Sequence, residues 1–514
     1  MTKAKYLSAI KFFCLIIAAL LFTTEIKAQI RQVTIEGGKA SGSIKDGISI
    51  FKGIPFAAAP VDSLRWKAPQ PVKPWNGIKL CEQFGPSPVQ SEPVPFSMWS
   101  AEFLIPKKPI SEDCLYLNVW SPAKRATEKI PVLVWIYGGG FGSGGSGVPI
   151  YDGLAMAKKG VIVVSINYRV GAFGFFVHPE LTKESGRNAS GNFGLMDQIA
   201  ALKWVKENIS AFGGDPDKVT IAGQSAGAMS VNYLVASPLA KGLFTKAIAE
   251  SGAAFSRGTL TLEQAEIEGL KFSQSMNTPT LAEMRHIPAA ELLKKAQGFR
   301  PIIDGYVLPA SVSDIFAANQ QNHVTLLTGW NEEEGILPGP MQNAQGYQQQ
   351  VAQNYGAGAE KLLKYYPAGS DKEAEKSQVS LARDIMFGVP NYTWANSQAN
   401  GGRVYVYRFS RKVPGIGEYA KYGAFHTGEV PYVFDNLDFV NRPWKNEDRQ
   451  LAQFMSTYWV NFVKYGDPNA NGLPVWPVYK PASKNIMNFD IKSYTEVLPD
   501  QEALDFLIQQ DKAH

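Results

Sequence analysis

The stretch VTIAGQSAGAMS, residues 219–230, sets one serine between two glycines directly after a short apolar run. Val219 to Ala222 read as the end of a buried strand, and Ala226 to Met229 as the start of a helix. Ser225 then occupies a tight strand-to-helix turn. Gly223 and Gly227, two residues to either side, let neighbouring backbone approach where a Cβ would intervene. This is the G-x-S-x-G nucleophile elbow, which lifts a serine oxygen out of the top of a sheet. The pentapeptide by itself also fits an ordinary serine-containing loop, so its surroundings have to decide.

Working outward, IPVLVWIYGGG (130–140) and GVIVVSINYR (160–169) are continuous apolar, β-branched runs, as central strands covered on both faces require. Between them and the elbow, Leu195, Ile199, Leu202 and Val205 recur at helical spacing, closed by Gly213 and Gly214. HVTLLTGWNEEEG and RVYVYRFS (403–410) supply further strands, and FTKAIAESGA further helix or strand material. Strands alternating with helices imply a large, mostly parallel sheet with helices on both faces. Near the N-terminus, alternating apolar residues broken by Gly-Gly and Asp-Gly predict small antiparallel hairpins. Each suspicious motif follows a strand, at the carboxyl edge where such sheets bind ligands.

The bulk numbers agree. With 514 residues, 45% hydrophobic and 19% charged, the chain has the composition of a globular protein with a large core. The net charge of +5 is small and scattered, which argues against a nucleic-acid partner. No linker, repeat or charge block divides residues 29–514, which read as a single domain. Residues 1–28 run from basic (MTKAKYLSAIK) through a short apolar core (FFCLIIAALLF) to a polar end at Ala28. That is the pattern of a secretory signal peptide, and it predicts a secreted or periplasmic protein with no stable membrane span after cleavage. Cys81 and Cys114 then remain; an oxidising compartment allows one disulfide between them, which the spacing does not establish.

A serine hydroxyl becomes a nucleophile when a base takes its proton and a third group fixes that base. Of the five histidines, His426 lies in a Gly-flanked loop (GAFHTGEVPYVF), C-terminal to both Ser225 and an acidic cluster. That is the order Ser, acid, His of such elbows. The acid is one of Glu332, Glu333 and Glu334, directly after a strand, and the loop by itself does not choose among them. A solvated acidic turn is the plain alternative. The glycines of WIYGGGFGSGGSG place backbone N–H groups where a developing oxyanion needs them, each such donor being worth roughly 3 kcal/mol. A phosphate cradle is excluded, because no Gly-Lys-Ser/Thr ending and no G-x-G-x-x-G with its distant acid is present.

These motifs, with FKGIPFAAAPVDSLRWKAPQP, SEDCLYLNVW (111–120), INYRVGAFGF, the long block around Ser225 and YWVNFVKYGDPN, resemble the type-B carboxylesterases. That family has the α/β-hydrolase fold and includes para-nitrobenzyl esterases, animal carboxylesterases and cholinesterases. The resemblance covers nearly all of residues 29–514. It implies an esterase of small-molecule substrates needing no cofactor and no metal, with Ser225 as nucleophile and His426 as base. In the family's acidic motif the Glu before Gly is catalytic, which selects Glu334. Gly139, Gly140 and the Ala226 N–H match the oxyanion donors, and Glu429 a supporting acid. Structural ion pairs are implied for Arg65 with Glu112 and for Arg169 with Asp197. Tyr137 stands where many members have His. Gln224 replaces a common Glu beside the nucleophile, so neutral esters are expected over cationic ones. The family's second cysteine would fall near Pro88, so the disulfide carries over weakly. The rival readings are a lipase of long-chain glycerides and a non-catalytic binding protein on the same fold. The intact Ser225, Glu334 and His426 count against the latter.

Overall fold

The computed structural model describes residues 29–513 apart from 256 and 257. The segment read as a signal peptide lies outside the described residues. In chain order the strands are β1 (Gln32–Ile35), β2 (Gly38–Ser41), β3 (Ser43–Lys45), β4 (Ile48–Pro55), β5 (Ile78–Leu80), β6 (Tyr116–Ser121) and β7 (Ile130–Ile136). They continue as β8 (Ile162–Ile166), β9 (Gly214–Gln224), β10 (Lys246–Glu250), β11 (Thr325–Asn331), β12 (Val404–Phe409), β13 (Asn485–Phe489) and β14 (Tyr494–Val497).

Eleven of these form one sheet in the order β14-β13-β12-β11-β10-β9-β7-β8-β6-β4-β3. Every pair from β13 to β8 is parallel, and the strands outside that block run antiparallel to their neighbours. The apolar runs explain the centre. All of β8 and β12 is buried, since helices flank the sheet and a two-sided core needs no alternation. β7 has β8 on one side and β9 on the other, so the strand order reverses there. The glycine loop after β7 and the serine after β9 therefore emerge side by side at a switch point of the sheet.

The N-terminal hairpins turn at Glu36-Gly37 and Asp46-Gly47, and Gly38 already belongs to β2. Asp46 and Gly47 both take left-handed backbone (φ 51° and 77°), as the tight primed turn between twisted strands requires. The two hairpins separate. β1 and β2 join β5 in a small three-stranded sheet, while β3 and β4 extend the large one.

The helix Phe193–Asn208 runs on into a tighter turn, Ile209–Phe212, and Gly213 ends it at φ 82°. Between β10 and β11 the chain carries the helices Leu262–Ser275, Leu281–His286, Ala289–Lys295 and Val312–Ala317. Part of this excursion packs Phe272, Met284 and Leu292 with Trp66, Phe173 and Phe176 in a separate apolar cluster.

Both expected ion pairs are formed. Arg65 holds Glu112 through two bonds of 2.7 and 2.5 Å and gives its remaining nitrogen to the carbonyls of Arg285 and Ile287. Arg169 grips Asp197 in the same forked way, at 2.8 and 2.7 Å, with both side chains almost wholly buried. The expected link between Cys81 and Cys114 is not made. Both are buried free thiols, and burial pushes the Cys81 thiol up to about 11. The physical reason is position: Cys81 is held beside Ser41 and Lys52, whereas Cys114 borders a small void together with Pro88, Arg65 and Arg169.

Asp197→Asn should cost about 3–5 kcal/mol in urea unfolding, because it leaves the Arg169 charge buried and unpaired. Replacing the pair together, Arg169→Met with Asp197→Leu, should cost less than the single change. A double variant less stable than Asp197→Asn would contradict this account.

Candidate active site

Ser225 sits between β9 and the helix Ala226–Ala236 with φ 58° and ψ −125°, a conformation that non-glycine residues rarely adopt. Its N–H is held by the Glu250 carbonyl at 2.8 Å. Backbone crowds the turn from every side. A Cβ on Gly227 would lie 2.1 Å from the Ile136 carbonyl oxygen, one on Gly223 2.5 Å from the Gly227 backbone, and one on Gly252 2.4 Å from the Ser225 oxygen. The glycines of the opening motif are thus fixed by space.

The glycine loop closes against this turn, where a Cβ on Gly138 would meet the Gln224 carbonyl at 2.6 Å. Gly139 and Gly140 take φ 115° and 62° and are exposed. Among the described residues their N–H groups have no acceptor, and Ala226, first residue of its helix, has none within the helix. Three donors are therefore open beside the serine. Tyr137 is accounted for differently: its ring stacks on Tyr168 at 4.4 Å, and each hydroxyl bonds the other's carbonyl.

His426 lies in the loop after β12, where its ring meets the side chain of Gln224, the residue before the serine. The Glu334 carboxylate accepts from its Nδ1 at 2.6 Å, and the Glu334 carbonyl accepts from its backbone N–H at 2.7 Å. The other carboxylate oxygen takes the Asn331 N–H at 2.8 Å. With Nδ1 thus assigned the proton, Nε2 is the free acceptor of the ring. The amide nitrogen of Gln224 lies 3.1 Å from Nε2 and 3.4 Å from Nδ1, so it sits over the ring face and not along either lone pair. Phe387 stacks on the ring at 4.7 Å, and Trp99 meets it edge-on at 6.2 Å. The Thr427 hydroxyl accepts from the Trp99 N–H and donates to the side-chain Oε1 of Gln224, tying the tryptophan to the glutamine. Ser225 Oγ makes no hydrogen bond among the described residues. Such contacts often close only when substrate is bound.

The acidic turn is not a solvated one. Glu332 reaches two buried guanidinium groups, Arg383 at 3.1 Å and Arg408 at 2.7 Å. Glu333 accepts from the Ala424 N–H, two residues before His426. Only Glu334 touches the imidazole. Glu429 is buried, takes a bond from the Asn331 side chain and so connects through that residue to Glu334.

Two neighbours of the site escaped the sequence reading. Phe387 belongs to a π-helical turn, Asp384–Gly388, ahead of Pro390. Pro390 has no N–H for the Met386 carbonyl four residues back, and the turn widens. That proline was the available signal. Glu250 is fully buried at the carboxyl end of β10, in register with Gln224 and Gly329. One of its oxygens accepts from Trp459 Nε1 at 2.7 Å and the other has no hydrogen-bond partner among the described residues. An acid closing an apolar strand (AIAE) was the sequence signal here. Burial pushes the Glu250 carboxyl up to about 8, and burial together with the charges of Glu250 and Glu334 pushes Glu429 well above the carboxylate range.

A mostly parallel sheet with a serine elbow at its switch point, a histidine and an acid from later loops, and open N–H donors defines an α/β-hydrolase. The model of the carboxylesterase family matches residues 25–507. The chain is 36% identical over 466 residues to the fumonisin B1 esterase of Sphingopyxis macrogoltabida (87% of this chain, 84% of the relative). It is 37% identical over 499 residues to the para-nitrobenzyl esterase of Bacillus subtilis strain 168 (91% and 97%). A solved PNB esterase superposes with a TM-score of 0.81 at 34% identity, covering 93% of this chain and 99% of that one. The chain belongs to the carboxylesterase family and is a carboxylic ester hydrolase acting on small-molecule esters.

Glu250→Gln tests the buried acid. Its carboxyl binds a proton in the folded state that the unfolded chain has lost above about pH 4.5, so its contribution to stability falls as pH rises from there toward 8. Glutamine keeps the Trp459 bond without that dependence. The variant should melt above the wild type at pH 8, with the gap closing by pH 5. A gap independent of pH would contradict the assignment. The groups facing Glu250, namely Glu429, Tyr151, Tyr407 and Trp459, are the same in both proteins.

Proposed function

We propose that residues 29–514 form one catalytic domain, a serine carboxylesterase working through an acyl-enzyme on Ser225. The observation that carries this reading is the 2.6 Å contact between His426 Nδ1 and the Glu334 carboxylate, beside the strained elbow of Ser225. In the proposed cycle His426 Nε2 takes the Ser225 proton as Oγ attacks the ester carbonyl carbon. Glu334 holds the resulting imidazolium, and the N–H groups of Gly139, Gly140 and Ala226 receive the negative oxygen. The imidazolium then gives its proton to the departing alcohol. Water, deprotonated by the same ring, attacks the acyl-enzyme and frees the acid. Gln224 and Phe387 both pack on the imidazole and keep it in one orientation. The basic, apolar, polar pattern of residues 1–28 supports export by a signal peptide.

Ser225→Ala should abolish p-nitrophenyl acetate hydrolysis while leaving the melting curve close to that of the wild type. Glu334→Gln should lower kcat by about four orders of magnitude, by analogy with loss of the triad acid elsewhere. Retained turnover in Ser225→Ala, or organophosphate labelling of another serine, would refute the assignment.

Gln224 also bears on the alcohol. A carboxylate at that position would attract a cationic leaving group, and an amide does not. The enzyme should therefore turn over 3,3-dimethylbutyl acetate with a higher kcat/KM than acetylcholine at low ionic strength. The reverse order would mean that aromatic faces such as Trp99 supply a cation site.

A further inference from the structure

A cavity of about 410 Å³ opens beside the glycine loop, bordered by Gly140, Met229, Tyr233, Phe173, Leu293 and Arg300. Met229 and Tyr233 lie one and two turns along the helix that Ala226 begins. The cavity thus reaches Gly140, one of the proposed oxyanion donors, while Gly139, Ser225 and Ala226 do not line it. None of Glu334, Phe387, Trp99, Thr427 and His426 borders it. If His426 returns its proton to the leaving alcohol, the alcohol lies on the histidine side and the acyl chain on the other. The cavity is on that other side.

Its walls are mostly apolar near the loop, with Phe141, Phe173 and Met229. Its rim is not. Arg300 is the charged residue of the lining, and no Asp or Glu appears among the described lining residues. Most other arginines around the molecule's interior are committed: Arg65, Arg169, Arg383 and Arg408 each hold a carboxylate. Arg300 is exposed and, among the described residues, makes neither an ion pair nor a hydrogen bond. Arg300 and the buried Tyr233 line the same cavity, so the guanidinium belongs to its wall. A planar guanidinium with free donors suits a carboxylate, which it can hold through two parallel bonds.

We propose that this cavity receives the acyl chain and that Arg300 at its rim selects acids carrying a second carboxylate, such as half-esters of dicarboxylic acids. This rests on the serine esterase reading given above and names its substrate class. The neutrality argued from Gln224 concerns the alcohol; the acyl side carries a positive charge.

The test compares two substrate series with the full chain. One is the mono-p-nitrophenyl esters of glutaric, adipic and suberic acid. The other is the neutral p-nitrophenyl esters of matching chain length. The quantity read is the ratio of kcat/KM, anionic over neutral, at low ionic strength. For at least one length the wild type should favour the anionic ester by about fivefold, the scale of a well-placed exposed ion pair. Arg300→Gln should bring that ratio to one or below, Arg300→Lys should restore part of it, and added salt should shrink it. Because both substrates are measured on the same protein, a partly misfolded variant does not distort the ratio. Efficient turnover of the neutral series with a ratio that ignores Arg300 overturns this proposal only. Failure of the wild type to hydrolyse any of these esters overturns the esterase reading and this proposal with it.

Discussion

The site depends on how closely backbone approaches backbone around residue 225. β7, β9 and β10 end together there, and the spaces between their exits are too small for a side chain at Gly223, Gly227 or Gly252. Those contacts hold Ser225 at a positive φ that it would leave if free. The cost is covered by the buried sheet below, whose parallel strands cannot shift without exposing apolar surface on both faces. From that one constraint follow the half-buried serine at the strand end, the Ala226 N–H without an acceptor among the described residues, and the nearness of the glycine loop.

The imidazole is held in a comparably over-determined way. Glu334 bonds both the His426 ring and its backbone, Phe387 and Gln224 pack on the ring, and Glu333 fixes the backbone just before it. Glu332 fastens the start of the same acidic turn to Arg383 and Arg408. Three consecutive acids thus do three separate jobs. Behind them, Glu429 and Glu250 sit in surroundings that favour their neutral forms. Of these acids Glu334 is the one that touches the ring, which suits its proposed role of stabilising an imidazolium.

Charge is distributed with the same economy elsewhere. The forked pairs Arg65–Glu112 and Arg169–Asp197 fasten the first loops and the 193–208 helix to the sheet. A pair as deeply buried as Arg169–Asp197 contributes little net stability compared with a well-packed apolar substitute, and acts mainly by excluding other arrangements.

The sequence by itself determined the elbow, the order serine, acid, histidine, and the parallel core, because glycine spacing and uninterrupted apolar runs are local properties written into adjacent residues. It also carried Glu334, through the resemblance of its motif, and both buried ion pairs. The tertiary structure decided what depends on distant segments meeting. Gln224 lies over His426 because β9 ends beside a loop some 200 residues later in the chain. Phe387 reaches the same ring from a widened turn, and Glu250 is lodged behind it, next to Trp459 from the helix Asn446–Tyr465. Cys81 and Cys114 stay apart although the expected export and their number favoured a bond. Arg300 could not be told from any surface arginine until the fold set it on the rim of a cavity beside Gly140. Spacing along a chain encodes hydrogen-bonded turns and buried faces; which side chains end up in contact across the sheet is fixed only when the strands have taken their order.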